Sequence, residues 1–376
     1  MDKILLSGGL SFIITFFSIP VIIQVAKDKK LFDEPDERKV HKNVIPTLGG
    51  LGIFAGFVIA TLLGVPLGSS ELQYFIAATV VVFFLGLKDD ILILSASKKF
   101  AGQVIAAGIL IQFGGVQLND MHGLFGVHHI PAAASVALTL LTIIMITNSF
   151  NLIDGVDGLA GSLGILTTAV FGCYFAYIGQ FTYAIMAFSL TGSLVSFLIY
   201  NFPPAKIFMG DTGSLLVGLV NSILVIKFIN IASAADAKFP VAAAPAIGFA
   251  VLMIPLFDTL RVFGMRILSR RSPFSPDRNH IHHFLLDAGL CHKNTTFVCI
   301  AANILFIGVA LIFRNLGTSI LLMILFSLGL ASTGLVYSIR QKKIKSSRRN
   351  NTVSQKTELI KSHKILSLAS DAVEVE

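Results

Sequence analysis

Long unbroken apolar runs alternate with short polar segments along the whole chain. The first run covers 4–26. Others fall at about 48–66, 72–88, 100–118, 131–149, 158–178, 183–200, 212–231, 241–263, 296–313 and 318–339. A helix needs roughly 20 apolar residues to cross a bilayer, so the pattern predicts about eleven transmembrane helices, with ten as the lower count. The weakest runs are the second, which is Gly-rich, and the ninth, which carries Asp258 and Arg261 near its end. Period-two alternation is scarce, which argues against a β-barrel. The first run is too long for the apolar region of a signal peptide and lacks a small-residue cleavage site. The fold class expected is an all-α polytopic membrane protein. Residues 1–339 form its integral membrane domain and 340–376 a basic cytoplasmic tail, disordered and lying near anionic lipid.

Composition narrows the class further. The 376 residues are 54% hydrophobic and 13% charged, with mean hydropathy +0.80. Soluble domains carry about 25% charged residues, and disorder needs low hydrophobicity, so both are excluded. The net charge of +8 could suggest nucleic acid in a soluble chain. Here the cations follow topology. With the N-terminus outside, 25 of the 29 Lys and Arg fall in inner segments and the C-terminus is cytoplasmic, as the positive-inside rule requires. Of the 21 acids, 17 fall on the same face. No nucleic-acid partner is expected. The three cysteines form no CxxC pair, and neither a disulfide nor a Cys-based metal site is expected.

The polar chemistry therefore lies in five inner loops. The first reads Asp36-Glu37-Arg38-Lys39-Val40-His41-Lys42, followed by Pro46-Thr47-Leu48-Gly49-Gly50, a glycine pair suited to tight backbone approach. The second has Lys88-Asp89-Asp90, with Lys98 and Lys99 nearby. Two carboxylates at a span end need something positive to hold them. In the third, Asn148, Asn151, Asp154 and Asp157 recur every three residues, among Gly155, Gly158 and Gly161. That step keeps neighbours on one helix face, and oxygen donors suit Mg²⁺ with substrate phosphates. The fourth is Phe208-Met209-Gly210-Asp211-Thr212-Gly213-Ser214. No Walker A sequence occurs, so ATP hydrolysis has no support. The fifth contains Arg266, Arg270 and Arg271, then Ser275-Pro276-Asp277-Arg278-Asn279-His280-Ile281-His282-His283. Ser275-Pro276 and Gly289 predict a short helix over about 276–288. Its His and Arg suit phosphate oxygens better than zinc. Lys227, near the outer end of the eighth run, is expected to snorkel, and Asp258 to pair with Arg261.

Four of these motifs, taken in order, resemble the polyprenyl-phosphate N-acetylhexosamine-1-phosphate transferases. They are Asp89-Asp90, Asn151-Leu-Ile-Asp154-Gly-Val-Asp157-Gly158, Phe208-Met-Gly-Asp211-Thr-Gly-Ser and His280-Ile-His282-His283. The fifth loop resembles the branch that uses UDP-N-acetylglucosamine more than the branch that uses UDP-muramoyl-pentapeptide. The resemblance implies transfer of sugar-1-phosphate from a UDP-N-acetylhexosamine to undecaprenyl phosphate, with UMP released. Mg²⁺ is the implied cofactor, with Mn²⁺ as substitute. It further implies that Asp211 and Asn151 bind the metal, and that Asp89, Asp90 and Asp154 are catalytic. Asp157 and Phe208 would hold the uracil; Lys99, Arg278, His280, His282 and His283 would hold phosphates or sugar. The bacterial inner membrane is the implied location and a homodimer the implied assembly. One departure stands out: Ile91-Leu92-Ile93-Leu94 follows the Asp pair, where that branch often has a third polar residue. A secondary transporter is the main rival, but its ionisable residues would lie near the bilayer midplane rather than in loops.

Overall fold

The computed structural model describes residues 1–29, 32–33, 45–66, 68, 71–234, 237–272 and 279–373, with 32–33 and 347–373 as backbone alone. Among these residues the elements run α1 (Asp2–Asp28), β1 (Phe32–Asp33), β2 (Ile45–Pro46), α2 (Gly49–Gly64), α3 (Leu72–Leu92), α4 (Ala96–Gln112), β3 (Asp120–Leu124), β4 (Val127–His129), α5 (Ala132–Ile153), α6 (Leu159–Ile178), α7 (Phe181–Asn201), α8 (Gly210–Ala232), α9 (Ala244–Val251), α10 (Met253–Leu268), α11 (Ile281–Asp287), α12 (His292–Ile312) and α13 (Thr318–Val373). The strands form two antiparallel ribbons, β1–β2 and β3–β4. Every predicted apolar run lies on a helix, the ninth on the pair α9–α10. Among the described residues seven helices are long and apolar enough to cross a membrane, and α9–α10, bent by 90°, brings the number to eight when the pair is counted as one span. The count falls below eleven partly because α2 and α4 have only 16 and 17 residues. The chain is a multi-pass, all-α membrane protein.

α8 is apolar around its whole circumference, as a helix must be when neighbours surround it. In its most apolar window 89% is buried, against 22% for α1. α3 and α5 pack along it, and α7 packs with α1, α2 and α6. Small residues allow these approaches. A Cβ at Gly50 would strike the backbone of Gly213, and one at Gly86 would lie 2.5 Å from Thr212 Cα. Both glycines therefore press α2 and α3 against the first turn of α8.

Lys227 does not snorkel. The residue is 7% exposed, and its ammonium lies 2.9 Å from each Glu71 carboxylate oxygen. Tyr183 Oη donates to Glu71 at 2.6 Å. An unpaired buried ammonium would be costly, and the pair ties the end of α8 to the start of α3.

The ninth run breaks at Leu252. Pro255 has no N–H to give to the Val251 carbonyl four residues earlier. Asn303 of α12, fully buried, repairs the gap. Its Nδ2 donates to the Val251 carbonyl and its Oδ1 accepts from the Ile254 N–H, both at 2.9 Å. The perpendicular α10 then carries Asp258 and Arg261 towards the fifth loop. α11 begins at Ile281, later than predicted. Ser275, Pro276, Asp277 and Arg278 lie outside the described residues, as do Asp36 to Lys42 of the first loop.

Candidate active site

The ends of α3, α4, α5 and α8 meet at one point. Lys99, at the start of α4, is the bridge. Its Nζ lies 2.5 Å from Asp89 Oδ2 and 2.7 Å from Asp211 Oδ2. Asn151, in the last turn of α5, donates Nδ2 to Asp211 Oδ1 at 2.9 Å and to Ser214 Oγ at 3.0 Å. The Asp pair thus divides its work. Asp89 faces Lys99, and also accepts from the Leu94 N–H at 2.5 Å. Asp90 turns to the first turn of α8, where helical N–H groups lack intrahelical partners. Its carboxylate accepts from Asp211 N–H at 2.7 Å, Thr212 N–H at 3.0 Å and Thr212 Oγ1–H at 2.6 Å. Asp90 is therefore a helix cap supplied in trans, a role invisible in local sequence.

Charge in the cluster is unbalanced. Burial raises the Asp90 pKa to about 6, against the pull of the Thr212 and Asp211 donors, with the Asp211 carboxylate adding to the rise. Asp154, just beyond α5, is pushed well above the ordinary carboxylate range by burial and then by Asp211, Asp90 and Asp157. Burial also pushes Asp89 up, but hydrogen bonds with Asp211, Lys99 and the Leu94 amide outweigh it and leave its pKa lowered. These crowded carboxylates form a place where added positive charge is stabilising. Among the described residues no three acidic, histidine or cysteine groups form a ready-made metal cage. Mg²⁺ needs only one or two carboxylates when phosphates supply the rest, so Asp211 fits it, and Asn151 beside it would be a second ligand with its amide turned to present oxygen in place of Nδ2.

The three-residue step in the third loop does not survive as one face, because α5 ends at Ile153. Asn148 pairs instead with Gln103 of α4 at 2.8 Å. Asp157 lies beyond the helix, 5% exposed. Its Oδ1 is 3.3 Å from His292 Nδ1, and its Oδ2 accepts from the Ala205 N–H at 3.3 Å. It therefore braces the third loop against the fourth and against α12. Phe208 is half-buried, and its backbone holds the first loop: its N–H donates to Pro46 at 2.7 Å and its carbonyl accepts from Gly49 at 2.9 Å. Ile93, in the apolar stretch after the Asp pair, is 89% exposed with φ +38°. That is a strained conformation for a β-branched residue.

The fifth loop docks on the third through its histidines. His282 is 1% exposed, and a Cβ on Gly155 would lie 2.9 Å from its Nε2. Burial, then His283, pushes its pKa down to about 3, so it acts as a neutral group rather than a phosphate-holding cation. Its ring is 5.7 Å from that of His280, nearly parallel, and 4.3 Å from that of His283. His280 Nδ1 is 2.9 Å from Asp258 Oδ2. Three roles do not follow from the sequence pattern, although Asp258 was expected to pair with Arg261 and does so. Asn201 bonds the Gly158 N–H and the Ile207 carbonyl, Asn303 holds the broken helix, and Asp258 holds a histidine. Polar residues within apolar runs were the available signal.

Helix ends that gather one lysine and several Asp/Asn side chains beneath a histidine loop define a membrane transferase handling phosphates. Residues 72–229 match glycosyl transferase family 4, and the chain belongs to that family of polyprenyl-phosphate N-acetylhexosamine-1-phosphate transferases. It is similar to a Bacillus subtilis (strain 168) protein named "Probable undecaprenyl-phosphate N-acetylglucosaminyl 1-phosphate transferase", 30% identical over 338 residues, covering 87% of this chain and 91% of that one. It is similar also to the decaprenyl-phosphate N-acetylglucosaminephosphotransferase of Mycobacterium tuberculosis (strain ATCC 25618 / H37Rv), 32% identical over 322 residues and 79% of each chain. The undecaprenyl-phosphate alpha-N-acetylglucosaminyl 1-phosphate transferase of Escherichia coli (strain K12) is 28% identical over 313 residues, 81% of this chain and 83% of that one.

Proposed function

We propose that the protein transfers N-acetylhexosamine-1-phosphate, with N-acetylglucosamine the sugar, from a UDP-sugar to undecaprenyl phosphate. The products are undecaprenyl-diphospho-sugar and UMP. The reaction opens the membrane stage of O-antigen, teichoic acid or capsule-type polysaccharide synthesis, on the cytoplasmic face of a bacterial inner membrane. The observation that carries this reading is the Asp89–Lys99–Asp211–Asn151 linkage, built from four helix ends.

A phosphate monoester has its second pKa near 6, so the lipid phosphate attacks at neutral pH without a strong base. One of its oxygens bonds to the sugar-bearing phosphorus. The bond from that phosphorus to the bridging oxygen breaks, and UMP leaves with the electron pair. Such transfers need positioning and charge neutralisation above all. Lys99 neutralises phosphate oxygens, oriented by Asp89. Asp90 fixes the first turn of α8 and so places Asp211. Asp211 and Asn151 would hold Mg²⁺, which supplies charge stabilisation at the diphosphate when bound. Asp157 and Phe208 support the nucleotide-binding loops.

The test is transfer of labelled sugar phosphate from a UDP-sugar panel into a lipid extract, using purified protein and undecaprenyl phosphate. Transfer with UDP-N-acetylglucosamine, abolished by EDTA, restored by Mg²⁺ and lost in Asp211→Ala, is expected. A folded Asp211→Ala variant with full activity overturns the metal assignment. Single displacement is the expected route. UMP exchange into UDP-sugar without lipid would instead require a covalent phospho-aspartate.

A further inference from the structure

Asp258 is 4% exposed on α10, the second helix of a broken span. Arg261, three residues on, donates Nη2 to its Oδ1 at 2.6 Å. That contact alone would neutralise the carboxylate. Yet Oδ1 also accepts the Ile281 N–H at 3.1 Å, Oδ2 lies 2.9 Å from His280 Nδ1, and Arg261 Nη2 donates to the Asn279 carbonyl at 2.5 Å. One turn of α10 thus grips three consecutive residues of the fifth loop at the start of α11.

The consequence falls on His280. An ionised carboxylate only accepts hydrogen bonds, so the contact puts the proton on Nδ1. In the neutral ring Nε2 is then a bare acceptor. His280 is 4% exposed, and its Nε2 is buried without a hydrogen-bond partner. Buried polar atoms are rarely left so. The parallel ring of His282 has an unpartnered Nδ1 as well, and it rests on Gly155, next to Asp154. Two unsatisfied imidazole nitrogens therefore lie where the fifth loop meets the third.

We propose that Asp258 is a positioning residue of the transfer reaction: it fixes the ring and proton of His280 so that Nε2 accepts a hydrogen bond from a hydroxyl or amide N–H of the donor sugar. The inference rests on the transferase reading. It departs from a phosphate-binding role for this histidine, because a bare Nε2 seeks a donor and phosphate offers none.

The experiment uses the full chain in lipid nanodiscs. In Asp258→Asn the oxygen can stay on Arg261 and Ile281 while an N–H faces His280. The imidazole proton moves to Nε2, and the acceptor becomes a donor. The Michaelis constant for the UDP-sugar is expected to rise on the order of 10- to 100-fold, as for carboxylates that orient other histidines, with kcat falling less. His280→Ala should do the same. The double variant should be no worse than His280→Ala, because Asp258 acts through that ring. A full multiplicative loss in the double variant, or an unchanged Michaelis constant in a folded Asp258→Asn protein, overturns the proposal. ¹⁵N NMR of histidine-labelled protein gives a readout apart from activity, with the His280 signals assigned by their loss in His280→Ala. The proton should sit on Nδ1 in the wild type and on Nε2 in Asp258→Asn. A wild-type proton on Nε2 overturns the proposal even if Asp258→Asn fails to fold. A wild type with this tautomer that transfers no sugar phosphate would instead sink the transferase reading.

Discussion

Adjacent residues can carry unlike tasks, and Asp89 and Asp90 show it. Asp90 is an acceptor for three donors of α8, so Asp90→Ala should destabilise the fold by about 1–3 kcal/mol, read as a lower unfolding temperature. Asp89 meets Lys99 across the site. Asp89→Ala should lower kcat by roughly 10²-fold or more, the usual cost of losing one preorganised electrostatic group, with little change in unfolding temperature. His282 makes a pH prediction with a definite sign. Its pKa is about 3 in the fold and about 6.5 unfolded. Between those values the unfolded chain binds the extra proton, so this residue's contribution is lost as pH falls below 6.5. From pH 7.5 to 5.5 the wild type should lose stability relative to His282→Asn, by on the order of 1 kcal/mol. Comparing the two proteins cancels the opposite trend from Asp90, whose raised pKa favours the fold at acid pH. Equal pH slopes would show that His282 titrates normally.

At the scale of elements, the helices were legible and their interruptions were not. The eleven apolar runs all landed on helices because apolar length is a local property. The bend at Leu252 was not read, although Pro255 stood in the run, because Pro255 alone does not say whether a helix kinks or breaks. That depends on Asn303, about 50 residues away, which takes up both freed backbone groups. Asn303→Leu should leave the Val251 carbonyl and Ile254 N–H unsatisfied, at about 1–3 kcal/mol for each buried group. The variant should unfold at lower temperature in detergent, and protection of the Ile254 amide from hydrogen exchange should fall. The site divides in the same way. Asp211, Asn151 and Lys99 stood in recognisable loop motifs, and the structure joins them. The trans cap by Asp90 and the bond from Asp258 to His280 connect elements 121 and 22 residues apart. No period or spacing could announce either.

The whole molecule fixes how many helices must cross together. α8 carries Asp211 at its start and Lys227 16 residues later, about 24 Å along the axis at 1.5 Å per residue. α3 runs beside it in the reverse sense: Glu71, just before α3, meets Lys227, and Asp89 and Asp90 at its end meet the start of α8. Two antiparallel helices pinned at both ends traverse the same thickness. If α8 spans the hydrocarbon core, α3 spans it too, although it ends in charge. Spans counted by apolar length alone are therefore too few. The same geometry puts the Glu71–Lys227 pair on the face opposite the site. Since 25 of 29 Lys and Arg fall in segments on the site's side under the eleven-span reading, that side should be cytoplasmic. Single cysteines in a cysteine-free background test this directly. Lys206→Cys and Arg270→Cys should react with a membrane-impermeant maleimide only in inverted vesicles. Lys238→Cys and Arg314→Cys should react in intact spheroplasts. Labelling of position 206 from outside would reverse the orientation. Labelling of 238 and 270 from one side would mean that the bent pair α9–α10 enters and leaves by the same face, as a re-entrant segment, and the odd number of crossings would fall with it.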